Sequence, residues 1–406
     1  MSRSPDSASA LLRHQPFLFY FLGRGFSNFS RQIVAVAIGW QVYALTNSAF
    51  ALGMVGLVQF LPTAFLTFYA GHAADRFDRK KLVQLCQLVE SASVAFLAWG
   101  SYGGWLRVEH IFIVSALFGI AVSFERPAAA SMLPAVVPTS MLQRGTALNG
   151  AAMELASIAG PALGGFAYAV SPGLPYVLTA LFWLAASVFN GAIRMPRHQR
   201  SAEVSTPGAL YAGIGFVRRN PTILGTISLD LFAVLLGGAT ALLPIYASDI
   251  LHTGPWGLGV LRAAPAVGSL LMTVALSRWP ISRRVGLRMF QAVIVFGVAT
   301  IVFALSTDLW LSLLALLVMG ASDTVSVVIR LSLVQLATPD EMRGRVSAIN
   351  FLFINASNQL GEFESGVTAA WLGAVPAAVL GGVGTIAVAL LWMKLFPTLR
   401  NVEKLE

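Results

Sequence analysis

The chain has 406 residues, of which 56% are hydrophobic and only 11% charged, with a mean hydropathy of +0.74 and a formal net charge of +9. Soluble domains carry about 25% charged residues, so this composition excludes a soluble enzyme or a nucleic-acid binder and leaves a chain that crosses a bilayer many times. One cysteine, Cys86, excludes an intrachain disulfide, and the five histidines lie singly, without the spacing of a metal site.

Residues 1–15 are polar and read as a short cytoplasmic tail. The first apolar run holds Arg24 and Arg31 and ends without a small-residue cleavage site, so it is expected to be retained as a helix rather than removed as a signal peptide. At about 20 residues per span, apolar runs fall at 16–45, 50–73, 82–103, 108–128, 142–170 and 174–194. A second set follows at 221–249, 255–278, 286–306, 309–331, 343–370 and 373–396. The expected fold is all-α and polytopic: an N-terminal six-helix bundle over 1–198, a cytoplasmic linker over 199–220 and a C-terminal six-helix bundle over 221–406.

Loop chemistry orients the spans. Arg76, Arg79, Lys80 and Lys81 crowd one loop, Arg126 and Arg144 flank the next on that side, and Arg194, Arg197, Arg200, Arg218 and Arg219 lie in the middle segment. Arg278, Arg283, Arg284, Arg343 and Arg345 mark the remaining loops of that side, whereas the alternate loops hold almost no Lys or Arg apart from Arg107. The positive-inside rule then places both termini in the cytoplasm. Within the linker, 207–219 reads as an amphipathic helix along the membrane face, with Leu210, Ile214 and Val217 on one side and Arg218 and Arg219 reaching lipid phosphates. Trp99, Trp105, Trp256, Trp310 and Trp371 sit near the external ends as interfacial anchors.

The two halves repeat. Residues 138–149 align without gaps to 339–350, and the same offset carries Gly119 onto Gly320, Gly160 onto Gly361 and Gly165 onto Gly366. A repeat of this length, with six spans in each copy, is the parallel two-half arrangement of many secondary transporters.

The stretch Gly71-His-Ala-Ala-Asp75-Arg76-Phe-Asp78-Arg79-Lys80 resembles the loop signature G-x-x-x-D-R-x-G-R-K of the major facilitator superfamily, with Asp78 in place of the usual glycine. Ala156-Ser-Ile-Ala-Gly160-Pro161-Ala-Leu-Gly164-Gly165 resembles that superfamily's antiporter signature, with Ala156 in the first glycine position; read without the family, it is a small-residue face for close helix packing. Residues 337–350 and Phe124-x-x-Pro127 are similar to the bacterial exporter branch that includes enterobactin and macrolide efflux proteins. The resemblance implies a monomeric transporter in a bacterial inner membrane. It would export a small organic molecule against protons by rocker-switch alternating access, surrounded by lipid, without cofactor and without catalytic residues. It also implies a gating loop of Gly71, Asp75, Arg76, Arg79, Lys80, Glu125, Arg126 and Arg345, with Glu125 facing Arg76 or Arg79 and Asp75 facing the start of the eleventh helix. Asp75 is further expected to cap the third helix.

Ionisable groups inside spans cost a few kcal/mol to insert, so each is a functional candidate. Arg24 and Arg31 are two turns apart on one face of the first span, where Arg31 would serve an anionic group or a carboxylate partner and Gln41 lies further along; the resemblance implies that these residues and Asp323 line the substrate cavity. The expected proton carriers are Glu362 or Glu364 first, then Asp230, then Glu154. Proton-coupled uptake, a membrane-embedded enzyme and a lipid flippase are the rival readings. No nucleotide-binding or nucleophile motif stands in a suitable context.

Overall fold

The computed structural model of the chain describes residues 8–194 and 207–404, with the side chains of 8–10, 67–68, 71–72, 74–75 and 207–212 outside that description. Among the described residues every regular element is helical. In chain order they are α1 (Ala8–Arg13), α2 (Gln15–Thr46), α3 (Ala49–Arg76), α4 (Arg79–Gly103), α5 (Val108–Val136), α6 (Leu142–Val170), α7 (Leu174–Ala192) and α8 (Pro207–Arg219). There follow α9 (Pro221–Leu236), α10 (Leu243–Ile245), α11 (Gly254–Arg278), α12 (Val285–Leu305), α13 (Leu309–Leu336), α14 (Asp340–Leu372), α15 (Ala374–Leu395) and α16 (Pro397–Arg400).

Ten helical runs among the described residues are long and apolar enough to cross a membrane. The two missing from the expected twelve are α2 and α14, which have 32 and 33 residues. Length is not what they lack. Arg24 and Arg31 lower the hydropathy of α2, and six charged residues from Asp340 to Glu364 lower that of α14. Apolar side chains point outward elsewhere, with Phe65, Trp99, Val170, Trp310 and Trp371 at least two-thirds exposed, as expected of side chains that meet lipid.

The chain divides into two compact units, Met1–Leu45 with Val58–Ser205, and Thr46–Leu57 with Thr206–Glu406. In the first, α4 lies between α5 and α7, and one end is filled by Phe17, Tyr20, Val83, Met132, Val136 and Ile193. The polar loop before α4 is shorter than the sequence suggested, because α3 continues to Arg76 and α4 starts at Arg79. Asp78, not Asp75, caps α4: its Oδ1 accepts from the Lys80 and Lys81 backbone N–H groups at 3.0 and 3.3 Å. The substitution of Asp for Gly in the loop signature therefore supplies the cap. Lys80 Nζ donates to the carbonyls of Gly191 and Ile193 at 3.1 and 3.2 Å, closing the end of α7. Helix α5 was expected to end near 128 but runs to Val136 through Pro127 and Pro134, which spanning helices tolerate when neighbours re-satisfy the freed carbonyls.

In the second unit, α13 packs on α11 and α12, α12 on α15, and α9 on α14 and α15. Leu229, Phe290, Ile329, Leu333 and Ala389 form its core. The expected continuous span 221–249 is broken. Helix α9 stops at Leu236, and a 3-10 turn (Ala239–Leu242), α10 and a π turn (Tyr246–Ile250) follow. The break falls at Gly237-Gly238, where α14 comes so close that a Cβ on Gly238 would strike the Gly361 backbone and lie 2.7 Å from Ser365 Oγ. Thr385 Oγ1 donates to the Ala233 carbonyl at 3.0 Å, which helps satisfy the end of α9. Helix α8 presents a different face from the one expected. Val217 is buried and Gly213 abuts Ile349 of α14, but Ile214 is 40% exposed and Leu210 lies outside the described side chains.

Candidate functional site

Among the described residues each unit holds a buried charge cluster that joins the first long helix of its set to the fourth. In the first unit, Arg31 of α2 meets Glu125 of α5. Arg31 Nη1 donates to Glu125 Oε2 at 2.7 Å, and Arg31 Nη2 donates to Ser27 Oγ at 2.8 Å. Glu125 Oε1 accepts from Ser27 Oγ and from Gln87 Nε2, both at 3.1 Å, and Gln87 Oε1 accepts in turn from Asn190 Nδ2 at 2.9 Å. Arg24 Nη1 stands 3.7 Å from Glu125 Oε1. Glu125 is fully buried, and such a carboxylate persists in a low dielectric only when paired and hydrogen-bonded on both oxygens.

This geometry corrects the expected gate. Glu125 does not face Arg76 or Arg79; Arg79 Nη1 instead donates to the Ser131 carbonyl at 3.4 Å, and Arg76 is exposed. Gly71 and Asp75 lie in α3 by backbone, but their surroundings fall outside the described residues. Arg126 is exposed next to the cluster, and Arg345 lies at the surface with Nη1 3.5 Å from Met342 Sδ.

Glu90 of α4, which the sequence reading passed over, completes the cluster. It is fully buried, neither carboxyl oxygen has a hydrogen-bond partner, and the same Arg31 Nη1 lies 3.6 Å away. One guanidinium nitrogen thus serves two carboxyl groups, closely in one case and loosely in the other. The signal was present: an acid midway along an apolar run carries the same insertion cost that singled out Glu154.

In the second unit the charges are inverted. The acid, Asp230, is on α9 and the cation, Arg330, on α13, and Arg330 Nη1 pairs with Asp230 Oδ1. Arg330 Nη2 reaches Asp323, one face of α13 up, at 3.9 Å. Asp230 and Arg330 are nearly buried, whereas the Asp323 side chain is 48% exposed. The three line a cavity of about 150 Å³ with Thr226, Asn350 and Asn358.

The remaining candidates are scattered. Glu362 sits against Gly56 with Arg262 in Coulombic reach, and Glu364 Oε1 accepts from Thr368 Oγ1 at 2.8 Å. Glu154 is half-buried with Oε1 unpartnered. Gln41, expected in the cavity, is packed inside the first unit, where its Oε1 accepts from Tyr168 at 3.1 Å. The Gly160–Gly165 run lies on α2: a Cβ on Gly164 would stand 2.9 Å from the Ile33 carbonyl, and Gly160 abuts Gln32. Pro161 and Gly165 are buried beside them. Close packing of α2 on α6 is therefore what these residues do locally.

Comparison with known proteins gives this architecture its place. A family model described as transmembrane secretion effector matches residues 6–406. The chain is 29% identical over 356 residues to the multidrug efflux pump Tap of Mycobacterium tuberculosis, covering 82% of this chain and 81% of that one. It is 24% identical over 400 residues to the enterobactin exporter EntS of Citrobacter koseri, covering 98% and 95%, and 22% identical over 405 residues to macrolide efflux protein A of Streptococcus pyogenes, covering 96% and 97%. Among solved structures, an inward-facing bacterial homologue of the lysosomal transporter Spinster aligns with a TM-score of 0.73 at 12% identity over 95% of both chains. The nucleoside transporter NupG aligns with a TM-score of 0.72 at 14% identity, over 94% of this chain and 99% of its own. Fold and sequence agree: the chain is a multi-pass membrane transporter and belongs to the transmembrane secretion effector family of the major facilitator superfamily.

Proposed function

We propose that this transporter is a proton-coupled exporter of a small organic molecule, working by alternating access of a twelve-span, two-half chain with both termini in the cytoplasm of a bacterial cell. The observation that carries the reading is the Asp230–Arg330–Asp323 triad at a cavity, where one guanidinium stands between two acids. A proton arriving at Asp230 removes the charge that holds Arg330. The guanidinium then turns to Asp323, whose oxygen it already approaches to 3.9 Å, and displaces whatever Asp323 held. Loss of the proton on the other side restores the first pairing. Such an exchange couples proton entry to substrate exit with two alternative ion pairs and no large rearrangement of side chains.

The relatives named as drug, siderophore and macrolide exporters support the outward direction, as does the antiporter-like run at Gly160–Gly165. Glu362 and Glu364 rank behind Asp230 as carriers, since neither has an arginine at ion-pair distance among the described residues. Glu154 ranks last.

Vesicles containing the purified chain test the direction. A labelled macrolide should accumulate in vesicles loaded at acid pH, moving inward as protons leave, and not in vesicles with the opposite gradient. Accumulation only when protons and macrolide move together would instead make the protein a symporter.

A further inference from the structure

The cavity in the second unit carries an unbalanced charge pattern. Arg330 is engaged by Asp230, and among the described residues it is the cation nearest Asp323, at 3.9 Å and beyond hydrogen-bond reach; Asp323 accepts no hydrogen bond among those residues. Ser326, one turn along α13, is 2% exposed; its Oγ has no hydrogen-bond partner and lines a smaller pocket with Asp230, Asp323 and Arg330. Two carboxylates to one committed guanidinium leave a half-exposed anionic group at the larger cavity, with a buried, unused hydroxyl at the smaller pocket beside it.

We infer that the larger cavity is a headgroup subsite for an alkylated amine cation, held by Asp323. This rests on the export reading above and names the substrate class for it. An anionic group is disfavoured, because it would meet two acids and a guanidinium already paired. Size and lining narrow the choice further. Drug-sized ligands fill about 300 Å³ or more, whereas this space is about 150 Å³, so it takes a headgroup and leaves the rest of the molecule outside. Val234, Val327, Leu331 and Ile354 supply apolar walls that suit carbon substituents on the nitrogen better than a hydrated inorganic cation.

The test is ethidium binding to the purified full chain in nanodiscs, read by fluorescence anisotropy. Asp323→Asn should weaken ethidium by about tenfold, the size expected for loss of one partly desolvated charge contact, while Asp323→Glu keeps affinity within about threefold. Because Asp323 is half-exposed, Asp323→Asn should melt with the wild type. A measurement on the wild type alone decides independently of any folding defect: choline should displace ethidium, and its uncharged carbon isostere 3,3-dimethylbutanol should not. Unchanged affinity in Asp323→Asn, or equal displacement by the two competitors, overturns the inference. So does tighter binding of 2,3-dihydroxybenzoate than of choline at the same site. If Asp323-dependent choline binding stands while no substrate moves in acid-loaded vesicles, the subsite holds and the export reading fails. If catecholate-driven proton exchange occurs without amine binding, export holds and the subsite is refuted.

Discussion

Arg31 gives its two terminal nitrogens to Glu125 and Ser27 and is only 19% exposed. Replacing Glu125 by Gln strands that guanidinium, and breaking a buried pair from one side typically costs about 3–5 kcal/mol. Glu90→Gln removes no hydrogen bond and should cost less than about 1 kcal/mol. Thermal unfolding in detergent should therefore rank Glu125→Gln well below Glu90→Gln; the reverse order would mean that Arg31 belongs to Glu90. A smaller effect is expected at the loop before α4, where Asp78→Ala removes the cap and should cost about 1 kcal/mol. Restoring glycine at 78, as in the superfamily's loop signature, should cost only a few tenths. At this scale the sequence was a partial guide. The insertion cost of charge identified Arg31 and Asp230, and the family resemblance Asp323, as residues with work to do, but not their partners. Glu125 stands beside Arg126 and Pro127 near a basic loop, so proximity in sequence drew it towards the gate, while the fold turns it inward to α2.

Element boundaries were legible wherever hydropathy and turn residues agree, as at Ser171–Gly173 between α6 and α7. They were not where backbone needs override apolarity. Residues 221–249 are apolar enough to read as one span, yet the paired glycines at 237–238 let α14 approach and the helix yields there. Conversely, Pro127 and Pro134 suggest a stop that the bundle overrides. Close approach also governs α6 on α2. Gly164→Leu would drive a side chain into the Ile33 backbone, and overpacking of this kind costs about 1–3 kcal/mol. Unfolding of that variant should show the loss, with Gly164→Ala between it and wild type; a Leu variant as stable as wild type would mean that α2 and α6 are free to separate. Because α2 carries Arg31, the same variant reports on whether the packing run matters beyond stability. Transport lost without a stability change would assign it a role in coupling.

Across the whole chain, a repeat of helices carries an inversion of charge. The first-to-fourth helix pair reads Arg31–Glu125 in one unit and Asp230–Arg330 in the other. The repeat was visible in the sequence through glycines and loop residues at one offset. The inversion was not, because Asp230 and Arg31 do not occupy equivalent positions in that alignment. The two clusters are also unequal. The first satisfies its ionised partners with Ser27, Gln87 and Asn190 inside a packed bundle, whereas the second opens on a cavity and leaves Asp323 half-exposed. The first is suited to hold a unit together and the second to exchange partners, and the exporter account depends on that division. Its most direct test is proton flux in liposomes with an internal pH dye, with ethidium added outside and Asp230→Asn compared with Glu125→Gln and wild type. The account predicts ethidium-evoked proton movement in wild type, its loss in Asp230→Asn with ethidium binding weakened as Arg330 turns to Asp323, and its survival in those Glu125→Gln molecules that remain folded. Undiminished proton flux in Asp230→Asn would contradict it and move the coupling site elsewhere, with Glu362 the next to be changed.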